Sequence, residues 1–165
     1  MMNIMIKLTL ATVLLLMSPF LFAAHSSNSQ IDELLASTTE PDGIVFEVLS
    51  WDKNTWTWAA PLIKDYRNQL LKKFPELDIA IVSHGAEQFQ LTKDEAQNQP
   101  EAISSLESLT TDGVNLHVCG THSSWNDISE DSYIDIVDVS PSGPAQINDY
   151  INLGYIKVLI KQPSH

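Results

Sequence analysis

The chain has few cysteines and few basic residues, and both shortages limit what it can be. Its 165 residues include one cysteine, Cys119, so an internal disulfide bond is excluded. Lys and Arg together number 9 against 21 Asp and Glu, and the formal net charge is −12. So acidic a surface repels phosphate backbones and anionic lipids, and we expect no nucleic-acid partner. The single thiol is left for packing, an intermolecular bridge, a metal or reactivity.

The first 24 residues have the pattern of a secretory signal peptide. Lys7 precedes an apolar run from Leu8 to Phe22, which a pair of alanines follows. We predict cleavage near Ala24. An uncleaved anchor is the alternative, because the run is close to the ~18 residues at which a membrane span becomes plausible. In either case we expect the remaining chain to fold outside the cytoplasm, periplasmic or secreted, and to have no membrane contact once the leader is cleaved.

Beyond the leader, the sequence predicts a polar segment over residues 25–43 and a single α/β domain over residues 44–165. Apolar runs bounded by turn residues predict five strands: Ile44–Leu49, Leu77–Val82, Val114–Cys119, Ile136–Val139 and Tyr155–Ile160. Helical spacing and helix start and stop signals predict the helices between them: Trp56–Phe74, Glu101–Thr111, one that begins at the Ser124 capping box, and Pro144–Leu153. This alternation is typical of a parallel, three-layer α/β sheet of the flavodoxin-like kind.

Several polar loops follow the predicted strands. In a parallel sheet all strand-to-helix loops emerge along one edge, so the segments that begin at Ser50, Ser83, Cys119 and Ser140 should line one rim. A helix start near Cys119 and a histidine three residues on, His122, would favour the nucleophilic thiolate over the thiol. We therefore take Cys119, His84 and His122 as candidate catalytic residues.

Each of these residues also has a purely structural interpretation. A cysteine on a strand is often a small buried hydrophobe, and His84 could serve its turn backbone. His117 shares a strand face with Cys119, which fits an interface, a wet pocket or a hydrogen-bonded core histidine. A metal site built from Cys119, His122 and His84 is a further alternative, but the spacing is common and unspecific. We predict no resident metal and no cofactor.

Three segments, taken in order, resemble the DsrE/DsrF-like family. They are Ile79–Gly85, Asp112–Gly120 and Ile151–Tyr155, and the resemblance extends from Gly43 to about Ile160. It implies a flavodoxin-like α/β fold and assembly as a homo-oligomer, often a trimer or hexamer. It also implies sulfur relay, in which the cysteine matching Cys119 carries a persulfide between a sulfur donor protein and an acceptor protein.

Two functional hypotheses follow from the sequence. In the first, the protein is a sulfurtransferase-like sulfur carrier, and His84, which matches a recurrent histidine of the family, assists Cys119 by our own inference. In the second, the protein is a non-catalytic homo-oligomeric binding module that takes a metal or small ligand. Export would separate the chain from the cytosolic partners of the known relay members, so we do not infer the same partners for this chain.

Overall fold

The computed structural model describes residues 28–163. The predicted signal peptide therefore lies outside the described residues. The strands are β1 (Gly43–Val48), β2 (Ile79–Ser83), β3 (Asn115–Cys119), β4 (Asp138–Ser140) and β5 (Tyr155–Leu159). The helices are α1 (Ser29–Ala36), α2 (Thr55–Lys73), α3 (Lys93–Ala96), α4 (Pro100–Thr111), α5 (Gly120–Ser124) and α6 (Gly143–Asn152). Two 3₁₀ segments join them, at Ala86–Leu91 and Glu130–Ser132.

The strands form one parallel sheet in the order β4-β3-β2-β1-β5. This confirms the predicted fold class, an α/β fold with a five-stranded parallel sheet and helices on both faces. The last two strands lie at opposite edges of the sheet, so the β4-to-β5 connection must cross it. Helix α6 makes that crossing and contacts β1, β2, β3 and β5.

The two faces of the sheet are packed differently. Alternate strand residues face a large apolar core that also contains Trp56, Ile63 and Leu70 of α2 and residues of α1 and α4. The opposite face has a smaller core in which Ile147 and Tyr150 of α6 pack on three strand residues. Every residue of β1 is buried, as expected for a strand covered on both sides. The second face carries the polar side chains that form the site.

The region after Cys119 differs from the sequence prediction. The capping-box pattern at Ser124 predicted a helix start, whereas α5 begins at Gly120 and has Ser124 as its last residue. The Ser124 hydroxyl donates to the Thr121 carbonyl at 2.8 Å, so it does not cap a following helix. Asp127 then has a φ of 56°, a left-handed conformation that prevents a helix from continuing there.

Other boundaries shift by a few residues. The fourth strand lies at Asp138–Ser140 rather than Ile136–Val139, because its ladder with β3 pairs His117 with Asp138 and Cys119 with Ser140. The helix predicted to start at Trp56 begins one residue earlier, at Thr55, and Asn54 occupies the cap position. No helix among residues 28–163 is long and apolar enough to cross a membrane.

Candidate active site

Cys119 is the last residue of β3, and the first turn of α5 follows it directly. It is a free thiol and only 5% exposed. Its backbone is fixed by the fully buried Gln88, whose Oε1 accepts from the Cys119 N–H at 2.9 Å and whose Nε2 donates to the Cys119 carbonyl at 3.3 Å. These two hydrogen bonds fix the backbone of Cys119 and thereby the position of its thiol.

A second contact fixes the same carbonyl from α5. Ser123 donates to the Cys119 carbonyl at 3.0 Å and lies 2.7 Å from the Tyr133 hydroxyl. Burial raises the pKa of Tyr133, and the nearby Cys119 adds to that effect. Tyr133 therefore stays a neutral hydrogen-bonding group in the neutral pH range.

A pocket of about 270 Å³ opens over the thiol. It is lined by Trp51, His84, Cys119, Thr121, His122, Trp125, Ser142 and Pro144. These residues come from the segments that follow β1, β2, β3 and β4, so the structure brings together the loops that the sequence placed on one rim. The three candidate residues Cys119, His84 and His122 all lie in this lining.

His84 is held by a carboxylate from the interior of the sheet. Its Nε2 donates to Glu47 Oε1 at 2.9 Å, and Lys157 binds the other oxygen of Glu47 at 2.7 Å. Burial by itself raises the pKa of Glu47, but the hydrogen bonds and charges of Lys157 and His84 outweigh it and lower that pKa. The ionised Glu47 thus fixes the His84 ring with its proton on Nε2, which leaves Nδ1 as the acceptor.

His122 is fixed by a backbone contact and by aromatic rings. Its Nδ1 donates to the His84 carbonyl at 3.1 Å. The ring centroids of Phe89, Trp51 and Trp125 lie 4.9, 6.0 and 6.2 Å from the imidazole centroid, all in edge-to-face geometry. A neutral His122 therefore keeps Nε2 as its free acceptor.

Gly143, the first residue of α6, lies between the two main candidates. A Cβ atom built there would be 2.6 Å from the His84 Cβ and 3.2 Å from the Cys119 Cβ. Since real Cβ contacts are longer than the first of these distances, only glycine allows this approach. The N-terminus of the ten-residue α6 is consequently packed against both side chains, and its partial positive charge stabilises a nearby anion.

Glu87 joins the loops that carry Trp51 and His84. It is completely buried, and its carboxylate accepts from the Ser50 N–H at 2.7 Å, the Ser83 hydroxyl at 2.8 Å and the Gly85 N–H at 2.9 Å. Three donors on two oxygens satisfy a buried carboxylate without a cation. The ends of β1 and β2 are thereby locked together beside the pocket.

His117 does not line the pocket, although it shares a sheet face with Cys119. Its Nδ1 lies 2.8 Å from Asp138 Oδ2, and its Nε2 lies 2.9 Å from the Tyr150 hydroxyl. Burial lowers the pKa of His117, and Asp138 opposes that shift only weakly because its side chain is 71% exposed and screened by water. Of the sequence interpretations, the hydrogen-bonded core histidine fits these contacts.

No three His, Cys, Asp or Glu side chains within residues 28–163 are placed to hold a metal ion together. His84 and His122 each use one ring nitrogen on a protein partner, a carboxylate for the first and a carbonyl for the second. The geometry therefore gives the metal interpretation no support.

Sequence reasoning missed three residues that support the site. Glu47 had a signal, since a lone carboxylate inside the apolar run of β1 is unusual. Glu87 and Gln88 had none, because each fixes the site through backbone groups far along the chain, Ser50 for Glu87 and Cys119 for Gln88.

The fold and the pocket define a class of proteins: three-layer α/β proteins with a single thiol at the end of a central strand. The model of the DsrE/DsrF-like family matches residues 14–158, and the chain belongs to this family. No curated protein is significantly similar to it. Among solved structures, a protein of unknown function from Methanobacterium thermoautotrophicum matches with a TM-score of 0.58 and 22% identity, over 71% of this chain and 97% of that one. This likeness supports the fold.

Proposed function

We propose that the protein is a sulfur carrier that holds a persulfide on Cys119. The observation that carries the proposal is the arrangement of the thiol at the floor of a pocket beside a histidine that a buried carboxylate orients. A nucleophile, a base and a group that orients the base form the usual arrangement of covalent catalysis. Membership of a family in which sulfur relay occurs adds independent support.

The reaction is a pair of thiol exchange steps. His84 accepts the Cys119 proton, and the thiolate attacks the terminal sulfur of a donor persulfide, R–S–SH. A bond forms between Sγ and that sulfur, the original S–S bond breaks, and the donor leaves as RS⁻. An acceptor thiolate then attacks the carried sulfur and releases Cys119 as a thiolate. No net oxidant or reductant is consumed.

The surrounding residues position these groups. Gln88 holds the Cys119 peptide, Glu47 holds His84, and His122 lies on the pocket wall as a second acceptor. The N-terminus of α6 lies against Cys119 and favours the anionic forms of the thiol and of its persulfide. Helix α5, with five residues, contributes little dipole of its own.

The proposal includes a cellular setting. We infer that an exported, periplasmic or secreted protein exchanges sulfur with donor and acceptor molecules of that compartment, and that it works as a homo-oligomer, a trimer or hexamer. The leader pattern supports export. Exposed large apolar side chains, at Leu49, Trp51, Trp125, Ile151, Leu153 and Ile156, support self-association.

A second candidate function is a non-catalytic homo-oligomeric binding module. The slight exposure of Cys119, 5%, favours it, because a persulfide donor must reach the sulfur. The two functions make different predictions for the thiol: the carrier needs it, and the module works equally well with serine in its place.

Intact mass spectrometry separates the two candidates. The wild type, incubated with 2-hydroxyethyl persulfide and freed of excess donor, should gain one sulfur, about 32 Da. Cys119→Ser is the matched control, since it removes the chain's one thiol, and it should gain nothing. An unmodified wild type, or an equal gain in the serine variant, would contradict the carrier function.

A further inference from the structure

The pocket over Cys119 has no permanent positive charge. Among the described residues, its lining contains two histidines and no Lys or Arg. Lys157 lies behind His84, but Glu47 binds it at 2.7 Å, so the two opposite charges offset each other. An anionic ligand in this pocket would therefore find no full positive charge to pair with, only the partial charge of the α6 N-terminus.

A buried carboxylate with no cationic partner among the described residues lies behind the pocket wall. Glu87 accepts hydrogen bonds from Ser50, Ser83 and Gly85 and donates none, which is the pattern of a carboxylate. All three donors are neutral, and Glu87 has no ion pair within residues 28–163. All three adjoin a lining residue, Ser50 next to Trp51 and Ser83 and Gly85 on either side of His84. Because Glu87 is fully buried, water screens its field poorly, and the field repels anions from the pocket.

The size and walls of the pocket indicate a small organic group. A volume of about 270 Å³ is near the lower end of the range for small-molecule sites. Trp51 and Trp125 stand at its mouth, 74% and 76% exposed, with His122 between them. Indole faces bind apolar groups and organic cations, and they offer nothing to a hydrated dianion.

We propose that Cys119 takes its sulfur from a small persulfide whose organic group carries no negative charge, and that the pocket excludes thiosulfate and donors with an anionic organic group. This inference rests on the proposed carrier function and names its donor class. Transfer from thiosulfate would break its S–S bond and release sulfite, so two negative charges would need a partner both before and after the step. Transfer from an uncharged or cationic R–S–SH leaves a single thiolate, which His84 can protonate with the proton taken from Cys119.

A charge series of disulfides tests the selectivity of the pocket independently of persulfide chemistry. Cystamine, bis(2-hydroxyethyl) disulfide and 3,3′-dithiodipropionate are cationic, neutral and anionic, and each forms a mixed disulfide with a reactive thiol. Rates measured by mass spectrometry at low salt are divided by those of free 1-thioglycerol, a neutral thiol that differs from all three leaving groups, with the same disulfide. The normalised rate should be at least about tenfold higher for cystamine than for the dianion, with the neutral compound between them, and added salt should narrow the difference.

Two variants assign the effect to Glu87. Glu87→Gln removes the charge and preserves the size of the side chain, and it should reduce the difference between cationic and anionic disulfides. Glu107→Gln removes the same charge from an exposed position on α4, and it should leave the difference unchanged. If Glu87→Gln fails to fold, the wild-type rates with the three disulfides at low and high salt still show whether the pocket excludes anions.

The outcomes separate this inference from the carrier function. Normalised rates for the dianion equal to or above those for the neutral disulfide would overturn the inference, as would sulfur loading by thiosulfate as fast as by 2-hydroxyethyl persulfide. Loading by no donor, with the charge order of the disulfides retained, would overturn the carrier function and leave the exclusion of anions supported.

Discussion

At the scale of single residues, the site depends on a carboxylate that never touches the ligand space. Glu47 lies inside β1, is buried among apolar neighbours and fixes the ring of His84. Its two hydrogen-bond partners lower its pKa against the cost of burial, so it stays ionised where most buried carboxyls would not. The tautomer of His84, and with it the availability of Nδ1, follows from this one residue.

Glu47→Gln should slow the reaction of Cys119. An amide can turn its NH₂ toward His84 Nε2, which moves the ring proton to Nδ1 and removes the acceptor that the thiol needs. We expect sulfur loading to fall roughly tenfold or more, because a general base commonly contributes about 10²–10⁴. The measurement is the single-turnover rate against pH.

Lys157→Gln is the graded companion of that change. It removes the strongest influence that keeps Glu47 ionised but leaves the His84 contact, so loading should fall less than in Glu47→Gln, and the fall should grow toward low pH. Equal rates for Glu47→Gln and wild type across the pH range would show that His84 does not assist Cys119.

At the scale of elements, the sequence predicts which loops meet at the edge of the sheet. It does not predict the side chains that hold those loops in place. Alternating apolar runs and turn residues are local signals, and the parallel arrangement then puts Trp51, His84 and Cys119 on one rim. Gln88 reaches Cys119 over a separation of 31 residues, through atoms that every residue has. The predicted helix start at Ser124 was wrong, because the tertiary position of α5 overrides the local capping pattern. That position is fixed by β3 and Gln88.

The contact of α6 with the sheet should make stability depend on pH. His117 on β3 accepts from Tyr150 on α6, with Asp138 and Ser140 of β4 beside the ring. Burial lowers the pKa of folded His117 below its ordinary value of about 6.5. The unfolded chain therefore takes up the proton first, and the free energy of unfolding should fall as pH drops below about 6.5.

Chemical denaturation between pH 5 and pH 8 measures this dependence. The wild type should lose stability toward pH 5, and His117→Gln, which cannot be protonated, should show a shallower slope over the same window. A variant slope as steep as that of the wild type would assign the loss to other groups.

Gly143→Ala tests the close approach of α6 to the site. The added methyl group would overlap His84 and press on Cys119, so α6 must shift. Overpacking of this kind costs about 1–3 kcal/mol in the free energy of unfolding. The loading rate of Cys119 should fall as well. Ala145→Gly, at an exposed position two residues along, is the control, and it should weaken the helix slightly and leave loading unchanged. A Gly143→Ala variant with wild-type stability and loading would contradict the packing described.

At the scale of the whole molecule, charge bears directly on which molecules can approach the thiol. The net charge of −12 disfavours anionic partners, in agreement with a pocket whose lining, in the described part of the chain, contains no Lys or Arg. Family membership accounts for the fold and the strand-end thiol together. The donor, the acceptor and the oligomer depend on surfaces that the sequence pattern does not encode locally, so they remain proposals.

The most direct test of the central claim is discharge of a loaded protein. Wild-type protein carrying one added sulfur, freed of donor, is mixed with an excess of a small neutral thiol, and the masses of both are followed over time. The carrier account predicts that the protein returns to its original mass while the thiol gains the sulfur as a persulfide, within the time that loading takes. An added sulfur that stays on the protein, or one that Cys119→Ser also acquires, would contradict it.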